Sequence, residues 1–165
     1  MKNTYLALLL AATPLVLSGY SVSSMAHSEE QCGVELVTEN IYKISQVEHK
    51  SDTKALIKAA LGSQYDAPVA KVSESQLNAG SSIYTQTCAV CHGATGQGDG
   101  ASSKFFPIRP ADFTNVKESG FYSERAQLEI IKKGILGTQM PGWETALSEE
   151  DLLAVYGYVR SLRQK

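Results

Sequence analysis

Five residues, Cys88-Ala89-Val90-Cys91-His92, constrain this chain more than any others, because of what precedes and follows them. Ser73 and Gln76 stand at capping-box spacing, and Val72 and Leu77 are placed to staple across the cap, so a helix is expected from about Glu74 to Cys91. Ile83, Tyr84 and Thr87 share one flank of it. Beyond the motif, five glycines at 93, 96, 98, 100 and 120 and prolines at 107 and 110 fall before Tyr122. A loop this long and irregular has no core of its own, so in a compact domain something else must order it.

The motif names that something. Cysteines three apart on a helical turn face the same way, so both sulfurs can add to the two vinyl groups on one edge of a porphyrin. The adjoining histidine then brings an imidazole to the iron. The C-x-x-C-H pattern is therefore read as covalent haem c attachment through Cys88 and Cys91, with His92 as an axial ligand. Two rivals are weaker. A thioredoxin-like pair wants a strand before the cysteines, where a helix is expected here. A zinc site needs four ligands, and His92 with distant Cys32 or His49 makes an unconvincing set.

The second axial ligand follows by elimination. Met1 and Met25 belong to a leader, which leaves Met140, in the turn-rich Gly137-Thr138-Gln139-Met140-Pro141-Gly142. A loop can lay a thioether across the far face of a haem, and Pro141 stiffens it. His49 is the alternative ligand, although an exposed surface position is the ordinary reading for both His27 and His49. With His92 and Met140 on the iron, no coordination position stays open for oxygen or peroxide. That favours electron transfer over catalysis.

The leader is Lys2 followed by an apolar run from Tyr5 to Leu17, with a small-x-small cleavage signal at Ser24-Met25-Ala26. The run is short for a membrane span and Pro14 interrupts it. Tyr20 stands where a lipoprotein would carry its acylated cysteine. The expectation is a protein exported to the periplasm, touching membrane only through partners or through an uncleaved signal anchor. The formal net charge of −2, with no Lys/Arg cluster, excludes nucleic acid and leaves redox proteins as partners. Cys32 is the third cysteine, left over for pairing between chains or for none.

Three segments are expected: a signal peptide over 1–26, an extension over 27–71 and a haem domain over 72–165. In the extension, Val34, Val37, Ile41 and Ile44 keep helical spacing. A second short helix is expected from a cap at Ser51 or Asp52 through Ala55 to Leu61, stopped by Gly62, which makes a helical hairpin. Residues 64–71, with Pro68, are a linker. In the haem domain, Ser123 caps a helix carrying Leu128 and Ile131 and ending at Lys132-Lys133-Gly134. Ser148 with Asp151, and Leu147 with Leu152, start a last helix from Glu149 to about Arg163.

At Gly80, Tyr84, Cys88, Cys91 and His92, and at Val155 and Tyr158 in the last helix, the chain resembles class I c-type cytochromes. The resemblance covers about Val72 to Lys165 and is similar to monohaem bacterial periplasmic cytochromes in particular. It implies an all-α fold of at least three helices wrapped around one covalent haem, with the terminal helices crossing at Gly80. It also implies a proline carbonyl, best matched by Pro110, accepting a hydrogen bond from the outer nitrogen of His92. Arg109 is a candidate partner for a haem propionate, and Trp143 a candidate pocket wall. The function implied is carriage of single electrons between redox proteins. The alternative is a haem subunit of a larger oxidoreductase, docked through residues 27–71.

Overall fold

Four helices of this chain begin on one polar side chain each, and those caps fix the frame of the haem domain. The structure, a computed structural model, describes residues 27–164. The expected leader lies outside the described residues, as do the side chains of His27, Cys32, Val34, Val37, Ile41 and Ile44. The described elements are α1 (His27–Leu61), α2 (Glu74–Ile83), a five-residue π-turn (Tyr84–Cys88), α3 (Ala89–His92), α4 (Val116–Ser119), α5 (Glu124–Lys133) and α6 (Glu149–Ser161). Short 3₁₀ turns complete the set, and the described residues hold no strand, only an isolated bridge between Gly134 and Pro141.

The caps act as their sequence signals require. Ser73 Oγ accepts the Gln76 N–H at 3.3 Å while Gln76 Oε1 accepts the Ser73 N–H at 2.9 Å, a complete capping box. Ser123 Oγ accepts from Ala126 N at 3.2 Å, and Ser148 Oγ from Asp151 N at 3.1 Å. The α4 cap, Asn115, accepts from Lys117 N and Glu118 N. This short helix was not foreseen, since it lacks an apolar period to mark it.

Helices α2 and α6 cross at Gly80, where a Cβ would lie 2.1 Å from the Ala154 carbonyl oxygen. No side chain fits there, which is the physical reason for the glycine. Around the crossing Tyr84, Val155, Val159 and Leu162 form one buried cluster, with Tyr158 packed on it. A second cluster joins Val69, Leu128, Leu152 and Tyr156, with Leu147 and Trp143 against it. Gly157 has the same kind of role: a Cβ there would meet the Val72 side chain at 2.4 Å.

The extension departs from expectation. The anticipated hairpin is one continuous helix, α1, running through Ser51 and Asp52 without a break. Both are exposed polar residues that a helix surface tolerates, and tertiary contacts lie on both sides of them. The compact units divide at Thr38/Glu39 rather than at 71/72, so residues 39–71 belong with the haem domain. In that unit Gln46 Nε2 donates to the Pro107 carbonyl at 2.9 Å, Lys50 pairs with Glu118 at 3.2 Å and Lys54 donates to the Phe121 carbonyl at 2.6 Å. Tyr65 is also core, and Ser123 Oγ donates to its carbonyl.

Gly80→Ala should destabilise the domain by about 3 kcal/mol, the upper end of overpacking costs, because the opposing atom is backbone and cannot rotate away. Urea unfolding of the two proteins measures it, and a loss below about 0.5 kcal/mol would show that the crossing is not closed at Gly80.

Candidate haem site

The π-turn sits where the helix leads into the cysteines. It begins at Tyr84, whose ring is fully buried and whose hydroxyl donates to the Gly93 carbonyl at 2.7 Å, just past His92. Burial drives the Tyr84 hydroxyl pKa upward, so it stays a donor. One tyrosine thereby ties the end of α2 to the end of the motif. Tyr84 also contacts Phe113, with ring centroids 6.5 Å apart, and Tyr158 at 5.2 Å.

The glycine-rich loop then folds back over the motif through its backbone. Gly98 N donates to the His92 carbonyl at 2.9 Å, Gly100 N to Cys91 at 3.1 Å and Ser102 N to Val90 at 3.0 Å. Three consecutive carbonyls of a short helix end are thus satisfied without side chains. Further on, Asp112 Oδ1 accepts from Thr114 N at 2.9 Å and Asn115 N at 3.2 Å, which fixes a turn just after Ala111.

His92 is held from two directions. Its ring stacks on Phe113 with centroids 4.6 Å apart and planes at 21°. Its Nδ1 lies 3.2 Å from the Ala111 carbonyl, the acceptor in the tautomer that leaves the Nε2 lone pair free for a metal. Burial lowers the imidazole pKa against the opposing effect of that hydrogen bond, which favours the neutral form. The carbonyl expected in this role was that of Pro110, so the assignment moves by one residue. The Pro110 carbonyl is turned instead toward Gly98, where a Cβ would stand 2.5 Å from it. Phe113 was not foreseen as a partner of His92, although an aromatic close after the loop prolines was a readable signal.

One cavity collects the expected donors: Cys88, Cys91, His92 and Met140 all line it. Both thiols are free and half-buried. Burial pushes the Cys88 thiol up, the reverse of the lowered pKa on which a thioredoxin-like nucleophile depends. Among the described residues no three His, Cys, Asp or Glu side chains gather to hold a metal ion, so the zinc alternative has no donor set there. Met140 is positioned by its loop, with Met140 N donating to Thr138 Oγ1 at 3.1 Å and its carbonyl accepting from Ile135 N at 3.1 Å.

The remaining candidates have mixed roles. Trp143 both lines the cavity and packs on the core cluster of Leu128, Leu152 and Tyr156, so the two readings of it are compatible. Arg109 lines the cavity while largely exposed, and its backbone N–H donates to Gln46 Oε1 at 3.3 Å. His49 corrects the surface reading: it is half-buried, it lines the cavity, and its Nε2 is buried without a hydrogen-bond partner. A mostly apolar cavity with a thiol pair, an imidazole, a thioether and an orphaned polar nitrogen suits an iron porphyrin with two carboxylates.

Residues 75–159 match the family described as "Cytochrome C oxidase, cbb3-type, subunit III". Among solved structures, the chain is similar to one in the reducing HAO-like protein complex of Kuenenia stuttgartiensis, at 32% identity with a TM-score of 0.52. The similarity covers 58% of this chain and 47% of that one, so this chain spans just under half the length of the structure it matches.

Gly98→Ala should displace Pro110 and with it the neighbouring Ala111 carbonyl that orients His92, since the added carbon would meet the Pro110 oxygen. Gly137 supplies the control, with φ near +80° and nothing within 4 Å of a Cβ, so its alanine variant carries strain alone. Gly137→Ala should cost about 1–2 kcal/mol from backbone strain and Gly98→Ala a further 1–3 kcal/mol from collision. Equal costs by urea unfolding would show that the Pro110 contact is loose.

Proposed function

The chain belongs to the family described as "Cytochrome C oxidase, cbb3-type, subunit III", and on that premise we propose that it shuttles single electrons between redox proteins in the periplasm. As a member it is a haem c electron-transfer protein and not a catalytic enzyme. The observation that carries the reading is the convergence of Cys88, Cys91, His92 and Met140 on one cavity.

In this reading Cys88 and Cys91 hold the porphyrin by thioether bonds, and His92 and Met140 hold its iron. Bound there, the haem supplies one-electron chemistry, ferric to ferrous. The residues around it do the rest. Ala111 and Phe113 keep the His92 ring in one orientation and one tautomer. Buried Tyr84, Val155 and Val159 give the site a rigid back. The thioether of Met140 raises the potential by favouring ferrous iron. No side chain has to move a proton.

The charged start, apolar run and small-x-small site read over residues 1–26 support the periplasmic placement. No described helix is long and apolar enough to cross a membrane. A second reading, a haem subunit of a larger complex, is favoured by the similar chain's place in a multiprotein complex. Native mass of the material purified from membranes and periplasm separates the two.

Mass spectrometry of the exported chain should show one haem added, and none after Cys88→Ser with Cys91→Ser. The ferric protein should show a methionine-to-iron charge-transfer band in the red. Met140→Ala should lose that band, lower the potential and bind carbon monoxide readily. A band that survives the substitution removes Met140 as ligand.

A further inference from the structure

Helix α1 does more than precede the haem domain. Gln46, Lys50 and Lys54 all contact the loop that follows the haem motif, and their spacing of four marks a single face. Thr53, buried, lies on the same face, and the Tyr122 hydroxyl donates to the Lys50 carbonyl at 3.3 Å. His49 falls in this stripe. It therefore points at the domain and not at solvent, which agrees with its place in the cavity lining and its buried, unpartnered Nε2.

A buried imidazole nitrogen with no partner costs stability, so a partner is to be expected from the group the cavity holds. The surroundings indicate its charge. Lys50 and Arg109 share the cavity lining with His49, whereas much of the rest is aliphatic or aromatic, such as Phe106, Ile108 and Ile130. Glu118 is the lone carboxylate of the lining, and Lys50 pairs with it at 3.2 Å. Donors gathered on one side of an apolar cavity suit an anion entering from within it. A haem carries two carboxylates, both on one edge. The iron offers His49 less, because a thioether already lines the same cavity.

Building on the haem reading above, we propose that His49 Nε2 donates a hydrogen bond to a haem propionate, which makes the N-terminal helix a wall of the haem site. The interaction masks part of the carboxylate charge, and so favours ferrous iron. It also gives residues 39–61 a role inside the domain in place of a docking role outside it.

The test uses the full haem-loaded chain, with His49→Ala and His49→Gln, the amide of glutamine being able to donate from a similar place. Far-ultraviolet circular dichroism first confirms folding. Resonance Raman spectra of the propionate-bending modes, the red charge-transfer band and the midpoint potential are then compared with wild type. His49→Ala should shift the propionate mode and lower the potential while leaving the charge-transfer band in place, and His49→Gln should recover most of both shifts. An unchanged propionate mode in both variants overturns the proposal. So does a charge-transfer band that emerges only in the variants, because His49 would then be an iron ligand. If His49→Ala fails to fold, His49→Phe, which keeps a ring and removes the donor, takes its place: a shifted mode with a lowered potential supports the donor role, and an unchanged mode overturns it. Wild-type protein without attached haem would instead sink the parent reading, and mass spectrometry reports that separately.

Discussion

The closeness of α2 and α6 governs everything else in the haem domain. Where Gly80 faces the Ala154 carbonyl, the helices meet with no side chain between them, and the cost of a helical glycine, about 1 kcal/mol against alanine, is offset by the contact it permits. Four residues after Gly80, on the same face, Tyr84 enters the core beside Val155 and Tyr158. Its hydroxyl then reaches forward nine residues to Gly93. A crossing set by one missing methyl group therefore determines, through one ring and one hydrogen bond, where Cys88, Cys91 and His92 stand.

The π-turn over Tyr84–Cys88 fits between those two constraints. An α-helix running straight on would advance each side chain by a fixed 100° or so, with no freedom to satisfy both the crossing and the cavity. One wider turn rotates the cysteines relative to Gly80. Thr87 Oγ1 donates to the Ile83 carbonyl at 2.7 Å and Thr85 Oγ1 to Ser81 at 2.9 Å, so hydroxyls support carbonyls around the irregular turn. Such insertions often mark functional sites, and here the turn ends on the first thiol.

What the sequence made legible were features with local causes. Ser73 with Gln76, Ser123 and Ser148 announce helix starts because capping involves residues at most three apart, and the structure places α2, α5 and α6 on those signals. The motif and the crossing glycine were readable for the same reason, each being a chemical or steric requirement at named positions. What failed depended on contacts far apart in sequence. Ser51 and Asp52 carry the local chemistry of a cap, yet Lys50 and Lys54 are each anchored to residues 67 or 68 positions away, which keeps one helix running through. The shift from Pro110 to Ala111 is of the same kind. Proline attracts the assignment, but the turn that presents the carbonyl is made by Asp112, which holds Thr114 and Asn115 behind it.

The two halves of the cavity wall differ in what orders them, and this explains why attachment is covalent. The wall from the π-turn, α3 and α6 stands on protein contacts, since Tyr84 and Val155 are almost wholly buried in one cluster and Leu152 and Tyr156 in another. The wall from residues 93–122 and 134–142 is mostly loop, interrupted by the single turn of α4, held largely by backbone hydrogen bonds and lined toward the cavity by Phe106, Ile108, Phe113 and Ile135 among others. A loop wall opens more readily than a helix pair, because fewer buried contacts must break. A group held only by burial would escape through such openings. Thioether bonds to Cys88 and Cys91, where the π-turn passes into α3, would remove that route: were the loop to open, the group would stay on this helix end, and reclosing would be an intramolecular event at high effective concentration. In the proposed assignment the cysteines stand at a helix end and the methionine on a loop, which would put the permanent bonds on the more firmly packed wall and the exchangeable ligand on the other.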